Sequence, residues 1–376
     1  MNIPQKPPVF EELLNGIADN PGEAISKLNS TVKDLTYNGK YYHWDELRHK
    51  KLPKDIDLKH LWAGLRFRRI GNSKDIPLED KSGNFFAFCL PDSLREDLDF
   101  IASNASGQIQ TAEQITNSHT RNRYIVNSLI EEAIHSSQLE GAATTRKVAK
   151  DMIRSKRKPV DKSENMILNN YNTMQYIRTL KDNKLSPSIV CDIHKMITQD
   201  TLDNPDEAGR IRTPEDGPVQ VVQDNDGLIL HDPPSSEELP ERLHKMCDFA
   251  NKVTPDYYIH PVLRAVMLHF WLAYDHPFTD GNGRTARALF YWLMLRENYW
   301  LTEFISISSI IKKAPTKYAR SFLHTETDSN DLTYFLIHNI DVFRRAIDDL
   351  FEYIEKKSNE IKALEQKSRI LLELNH

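Results

Sequence analysis

Nowhere in this chain do about 18 apolar residues run together, the length a membrane-crossing helix needs. The opening stretch MNIPQKPPVFEELL lacks a basic segment leading into an apolar one, so no secretory leader is indicated and a cytoplasmic location is expected. Cysteine is scarce: Cys89, Cys191 and Cys247 are widely spaced with no CxxC pair, which points to reduced, mostly buried thiols rather than a disulfide framework or a thiolate metal site. Positive charge is not in excess either. The 49 Lys and Arg against 54 Asp and Glu leave a net charge of −5, which argues against a nucleic-acid footprint over the whole surface. One local basic segment remains, RKVAKDMIRSKRK at 146–158, and it reads as a solvated helix face running into a loop. No internal repeat or low-complexity tract is present.

What is present describes a folded protein of more than one part. Apolar residues make up 39% and charged residues 27% of 376 residues, more than one hydrophobic core ordinarily serves. The first hundred or so residues mix short elements: the Pro-rich IPQKPPVF, then KYYHWDELRHKKLP and LWAGLRFRRI, then a turn at DKSGN before the strand-like FFAFCL. The small polar stretch NASGQIQTAEQ makes a boundary near residue 114, so residues 1–114 are expected to form a small α+β domain.

Beyond it the pattern is helical. Val126, Leu129, Ile130, Ala133 and Ile134 recur with helical spacing, and Gly141 supplies a stop. Ser186 before Pro187 marks another start, and Ser235 or Ser236 is expected to cap a helix ahead of Glu237 and Glu238. Between these, VQVVQDNDGLIL reads as a β-hairpin. PVLRAVMLHFWLAY and RTARALFYWLMLREN are apolar on more than one face and should be central, buried helices. A long charged amphipathic helix ends the chain.

The two central helices are joined by HPFTDGNGRTAR, His276 to Arg287. A glycine-rich turn at a helix N-terminus exposes unpaired N–H groups and the positive end of the dipole, and so receives anions. Arg284 and Arg287, three residues apart in the first turn, are expected to aim roughly the same way. Two cations there cost about 0.3–1 kcal/mol each, acceptable where bidentate bonds to phosphate oxygens offset the cost. Asp280 is a hard oxygen ligand suited to Mg²⁺ shared with substrate phosphates, and His276 is the natural proton acceptor. Zinc on His269, His276 and Asp280 is the other chemical reading, but two helical turns set the histidines about 10 Å apart, too far to share one ion easily.

This segment resembles the signature of the Fic family, HxFx(D/E)GNGRxxR, at every specified position. The resemblance implies a mainly α fold, a Fic-type helical bundle with a β-hairpin flap, over residues 115–350. It implies transfer of AMP from ATP to a Tyr, Ser or Thr hydroxyl of a target protein, with His276 as general base and Asp280 holding Mg²⁺. Gly281, Asn282 and Gly283 would form the anion nest, Arg284 and Arg287 would meet the β and γ phosphates, and Phe278 would anchor the loop. The flap, in RIRTPEDGPVQVVQDNDGLILHDPP with either PEDGP or QDNDG at its tip, would take the target as an added strand.

The helix ending SSQLEG resembles the family's inhibitory motif, (S/T)xxxE(G/N), at Ser136, Glu140 and Gly141. Ser136 and Glu140 share a helix face; Glu140 would occupy Arg287 and place negative charge where the γ phosphate should sit. Release would require a second conformation or a homodimer. Other outcomes stay open: Glu140 activating water to remove AMP, or a nucleotide-sensing regulator that does not catalyse; phosphate transfer is a third, but the Doc-like relatives that carry it out depart from Gly-Asn-Gly in the loop and this chain does not. Residues 351–376 resemble at SRILLELNH the first helix of a winged helix-turn-helix, so the chain is expected to be cut short there, and DNA is a partner only if that module exists. Self-modification is also expected, since tethering raises effective concentration.

Overall fold

In the computed structural model, residues 2–15, 20–106, 118–222 and 227–373 are described. The chain opens with helices α1 (Phe10–Asn15), α2 (Pro21–Thr31), α3 (Trp44–Leu47) and α4 (Leu58–Asn72), followed by the antiparallel pair β1 (Lys74–Glu79) and β2 (Phe85–Phe88) and helix α5 (Asp92–Ala105). The turn expected at DKSGN does join two strands: Asp80 Oδ1 accepts from the N–H groups of Ser82 and Asn84 at 2.8 and 2.9 Å.

Packing divides this region unevenly. Leu13, Leu28, Val32, Trp44, Leu47 and Trp62 share one apolar cluster, whereas Ile76, Phe86, Leu94, Leu98 and Ile101 belong to the main core. The boundary expected near residue 114 lies outside the described residues. Arg69, 1% exposed, donates to Leu35 O, Tyr42 O and Tyr334 Oη, tying the first cluster to the rest of the molecule.

The helical body comprises α6 (Ser118–Leu139), α7 (Arg146–Ser155), α8 (Lys162–Thr179), α9 (Pro187–Thr198), α10 (Leu239–Ala250), α11 (Pro261–Asp275), α12 (Asn282–Arg296), α13 (Ile307–Lys313), α14 (Pro315–Thr327) and α15 (Thr333–Glu373). Of the two N-caps expected from the sequence, the one at Ser186 is present. Ser186 Oγ accepts from Ile189 N–H at 3.3 Å with Pro187 at the first position, and Asp161 Oδ1 accepts from Glu164 N–H at 2.8 Å. The start of α10 differs. It begins at Leu239 with no side-chain cap, because Ser235 and Ser236 are spent on a preceding turn in which their carbonyls accept from Glu238 and Leu239. On α6 the buried face takes Ile125, not Val126, which is 37% exposed. The last helix begins at Thr333 and passes residue 350 without a break.

Helix α11 lies at the centre: thirteen of its fifteen residues are buried, so it presents no solvent face. It packs against α12, whose Trp292 and Leu293 are fully buried. Near its end, Asp275 accepts from Arg242 Nε and NH2 at 2.8 and 2.7 Å and from Trp271 Nε1 at 3.0 Å. That buried, fully bonded carboxylate fixes the chain immediately before His276. Among the described residues no helix is long and apolar enough to cross a membrane.

Candidate active site at the junction of two central helices

Helix α11 ends because His276 turns left-handed, φ 47°, with Pro277 behind it unable to continue the helical hydrogen bonding. A non-glycine residue there carries strain of about 1–3 kcal/mol, kept only where the surroundings impose it. Three contacts impose it: His276 N–H donates to Leu272 O at 3.0 Å, its carbonyl accepts from Arg212 Nε at 2.9 Å, and Pro277 O accepts from Arg212 N–H at 2.9 Å. His276 Nδ1 lies 3.3 Å from Ala273 O, which holds the proton on Nδ1 and leaves the Nε2 lone pair available. Burial pushes the imidazole down to about 4, with the neighbouring His231 adding to the fall. A neutral ring with a free Nε2 is the form a general base needs near pH 7.

The loop that follows is closed on itself. Phe278 is buried and stacks on His194, ring centroids 3.7 Å apart and planes 2° apart. Asn282 Oδ1 accepts from Phe278 N–H at 3.0 Å while its Nδ2 donates to Phe278 O at 2.8 Å. The amide of Asn282 is therefore a clasp for the loop, and only its backbone N–H remains for an anion. Gly281 has φ 81°, and a Cβ on it would come within 2.7 Å of Thr198 Cγ2, so a side chain is excluded on both counts. Asp280 is half exposed at 52%; its Oδ1 accepts from Gly281 N–H at 2.5 Å.

The two arginines do not aim the same way, as their spacing suggested. Arg284, 1% exposed, donates from NH1 to Ile197 O at 3.0 Å, yet its Nε and NH2 are buried without a hydrogen-bond partner among the described residues. Its nearest carboxylate contact is Asp280 at 3.9 Å, and burial lowers its pKa. A buried guanidinium with idle donors fits a site that receives an external anion. Arg287 points instead at α6. Its Nε donates to Ser136 Oγ at 2.8 Å, and NH2 donates to Ser136 O at 3.0 Å and Glu140 Oε1 at 2.7 Å.

Glu140 reaches across because residue 283 has no side chain: a Cβ there would sit 2.2 Å from Glu140 Oε1. The carboxylate thus lies on the first turn of α12, where the unpaired N–H groups of a helix face outward. Gly141, φ 93°, ends the reach of α6, and Ala142 N–H returns to Ser137 O at 3.0 Å.

Residues not foreseen in the sequence hold the loop from outside. His194 accepts from Gly209 N–H at Nδ1, 3.0 Å, so its Nε2 carries the proton it gives to Asp280 O at 2.8 Å. The signal was available: Val190, Ile193, His194 and Ile197 fall on one buried face of α9, and a histidine there requires partners. Arg212 and His231 come from the hairpin region and carry no local signal. Strands β3 (Val221–Val222) and β4 (Ile229–His231) pair antiparallel, so QDNDG lies between the strands and PEDGP does not; Gln223–Asp226 fall outside the described residues. His269, the third member of the zinc alternative, is buried and bonds Tyr318 Oη at 2.8 Å.

Residues 184–294 match the family described as Fic/DOC. The chain is 28% identical over 183 residues to the "Protein adenylyltransferase Fic" of Nematostella vectensis, covering 47% of this chain and 40% of that one. It is 34% identical over 116 residues to "Protein adenylyltransferase fic-1" of Caenorhabditis elegans, 31% of this chain and 20% of that one. It therefore spans less than half the length of these relatives. Its fold is similar to that of a Fic family protein from Desulfovibrio desulfuricans, with TM-score 0.56 and 19% identity over 70% of this chain and 74% of that chain. It is also similar to Fic-1 residues 134–508 from C. elegans, with TM-score 0.51 and 22% identity over 69% of this chain and 70% of that one.

Proposed function

We propose that the chain, whose residues 184–294 match the Fic/DOC family, is a protein adenylyltransferase restrained by its own helix α6. The observation that carries this reading is the unequal occupation of the arginine pair. Arg287 is closed by Ser136 and Glu140, while Arg284, one turn away, keeps two buried donors idle. A site that accepts a polyphosphate would show such donors, and a site under restraint would show one of its cations already answered.

In the proposed reaction the oxygen of a target Tyr, Ser or Thr attacks the α phosphorus of ATP. His276 Nε2 takes the hydroxyl proton, a new P–O bond forms, the bond to the β-phosphate oxygen breaks, and pyrophosphate leaves. A positioned base contributes about 10²–10⁴ in rate. The backbone N–H groups of Asn282 and Gly283, and that of Gly281 once released from Asp280 Oδ1, would hold the phosphates with Arg284 and Arg287. Asp280, half exposed beside that nest, has the oxygen chemistry to hold Mg²⁺, which when bound would neutralise phosphate charge. Inhibition follows from position: Glu140 and the γ phosphate compete for Arg287, and like charges exclude one another there. The β3–β4 hairpin would pair with the target's backbone. The chain's own hydroxyls are a second class of acceptor, and a homodimer is one state that could displace α6.

One observation keeps AMP removal in view. Only Oε1 of Glu140 is engaged by Arg287, and the other oxygen could orient a water. The test uses ATP labelled at the α or the γ position, with Mg²⁺, lysate and the Glu140→Gly variant. Label from the α position alone supports AMP transfer, and label from γ alone means phosphate transfer. Absence of both, with release of AMP from a pre-modified protein by the wild type, would replace this reading with hydrolysis. DNA binding with salt-dependent affinity and no label would favour a regulator.

A further inference from the structure

His231, the last residue of β4, sits between two oxygens that can only accept. Its Nδ1 is 2.7 Å from Glu326 Oε2 on α14, and its Nε2 is 2.7 Å from the carbonyl oxygen of Tyr274 on α11. A neutral imidazole has one N–H and would leave the other nitrogen's lone pair against an oxygen. Only the imidazolium satisfies both. The side chain is 10% exposed, its ring lies 4.8 Å from that of Tyr274, and no water is needed to complete either bond.

We infer that His231 is a positioning residue which, in its charged form, fastens the flap strand β4 to the end of α11, two residues before His276, so that the acceptor strand and the general base share one frame. This deepens the transferase reading and rests on it. Val221 pairs with His231, so the bond also sets the register of β3. The unit is therefore anchored at two points along one carbonyl run: His231 on Tyr274 O and Arg212 on His276 O.

The groups facing the ring decide its titration. Glu326 and the Tyr274 carbonyl favour the charged form, burial and Lys81 oppose it, and its pKa is raised. Asp232, Asp275 and His276 also feel its charge. The sign follows. A folded pKa above the unfolded value makes the fastening fully present below about 6.5 and lost as pH rises through the folded pKa. The same charge disfavours protonation of His276, so its removal should move the acid limb of the activity upward.

The first readout needs no activity: nitrogen-detected NMR of the histidine rings across pH 5–9 in the whole chain, assigned with His231→Gln. Both His231 nitrogens should remain protonated above pH 6.5, whereas a single protonated nitrogen at pH 6.5 overturns the inference. The second uses α-labelled ATP incorporated into protein by the Glu140→Gly chain, with and without His231→Gln or His231→Arg. The Gln variant should lower the rate about fivefold or more with the KM for ATP within twofold, and lose the alkaline fall. The Arg variant, charged throughout, should recover part of the rate. Unchanged rate and pH profile in His231→Gln would overturn the inference. No label from Glu140→Gly alone would sink the transferase reading, leaving the ring signals to decide the charge of His231.

Discussion

Glu140 Oε1 accepts from Arg287 NH2 at 2.7 Å in a space that exists because residue 283 lacks a side chain. A Cβ at 283 would come within 2.2 Å of that oxygen and 2.9 Å of Cδ. Glycine at this position therefore serves two approaches: the proposed one by phosphate, and the observed one by a carboxylate from another helix.

Gly283→Ala should separate these two roles. The carboxylate, the far end of a flexible side chain, moves aside and the pair with Arg287 weakens, yet the new Cβ stands over the helix N-terminus. We expect label incorporation no higher than wild type although the proposed restraint is weakened. Label comparable to that of Glu140→Gly would show that phosphate does not approach residue 283.

Ser136→Ala removes one of three acceptors on Arg287 and leaves the backbone oxygen of the same residue and Glu140 in place. One hydrogen bond to a charged group is worth about 1.5–3 kcal/mol. Restraint should loosen by roughly tenfold, the equivalent of about 1.4 kcal/mol. The initial rate of α-label incorporation checks it, and an effect exceeding that of Glu140→Gly would contradict the ranking.

Asn282→Ala deletes both bonds to the buried Phe278 peptide. Each buried group left unpaired costs about 1–3 kcal/mol, so unfolding free energy in urea should fall by about 2 kcal/mol or more. Activity in the Glu140→Gly background should fall through rate rather than through ATP affinity.

Acid should destabilise the chain before carboxylates titrate. Burial is the leading cause that pushes His194, His276, His324 and His338 down to about 4 and His269 to about 3. The unfolded chain binds protons at these rings near 6.5, so stability is retained above that value and lost as pH falls from about 6.5 toward 4. Thermal midpoints at pH 7, 6, 5 and 4 should decrease monotonically, and a flat profile down to 4 would contradict the assignment.

Much of this was legible because local chemistry dictated it. The His276–Arg287 turn and the Ser136–Glu140 pair are contiguous or one helical turn apart, and the cap at Ser186 needs only its own neighbours. What was not legible is long-range. Nothing local to Arg212 or His231 indicates that each would bind a backbone oxygen of α11 or its end, 64 and 43 residues away. Spacing put Arg284 and Arg287 in one helical turn, aiming roughly the same way, but tertiary partners sent one to Ile197 O and the other to α6. Val126 fitted the helical period and yet faces outward, since Ile125 met the core first. The Ser235–Ser236 cap failed because those residues closed a turn of their own.

The central claim is that Glu140 restrains a site built around His276, and initial rates of α-labelled AMP incorporation test it most directly, in wild type, Glu140→Gly, and Glu140→Gly with His276→Ala, at equal ATP occupancy. The account predicts a rise of at least tenfold on removing Glu140 and its abolition on removing His276. Equal rates in wild type and Glu140→Gly, or a rate that survives His276→Ala, would contradict it.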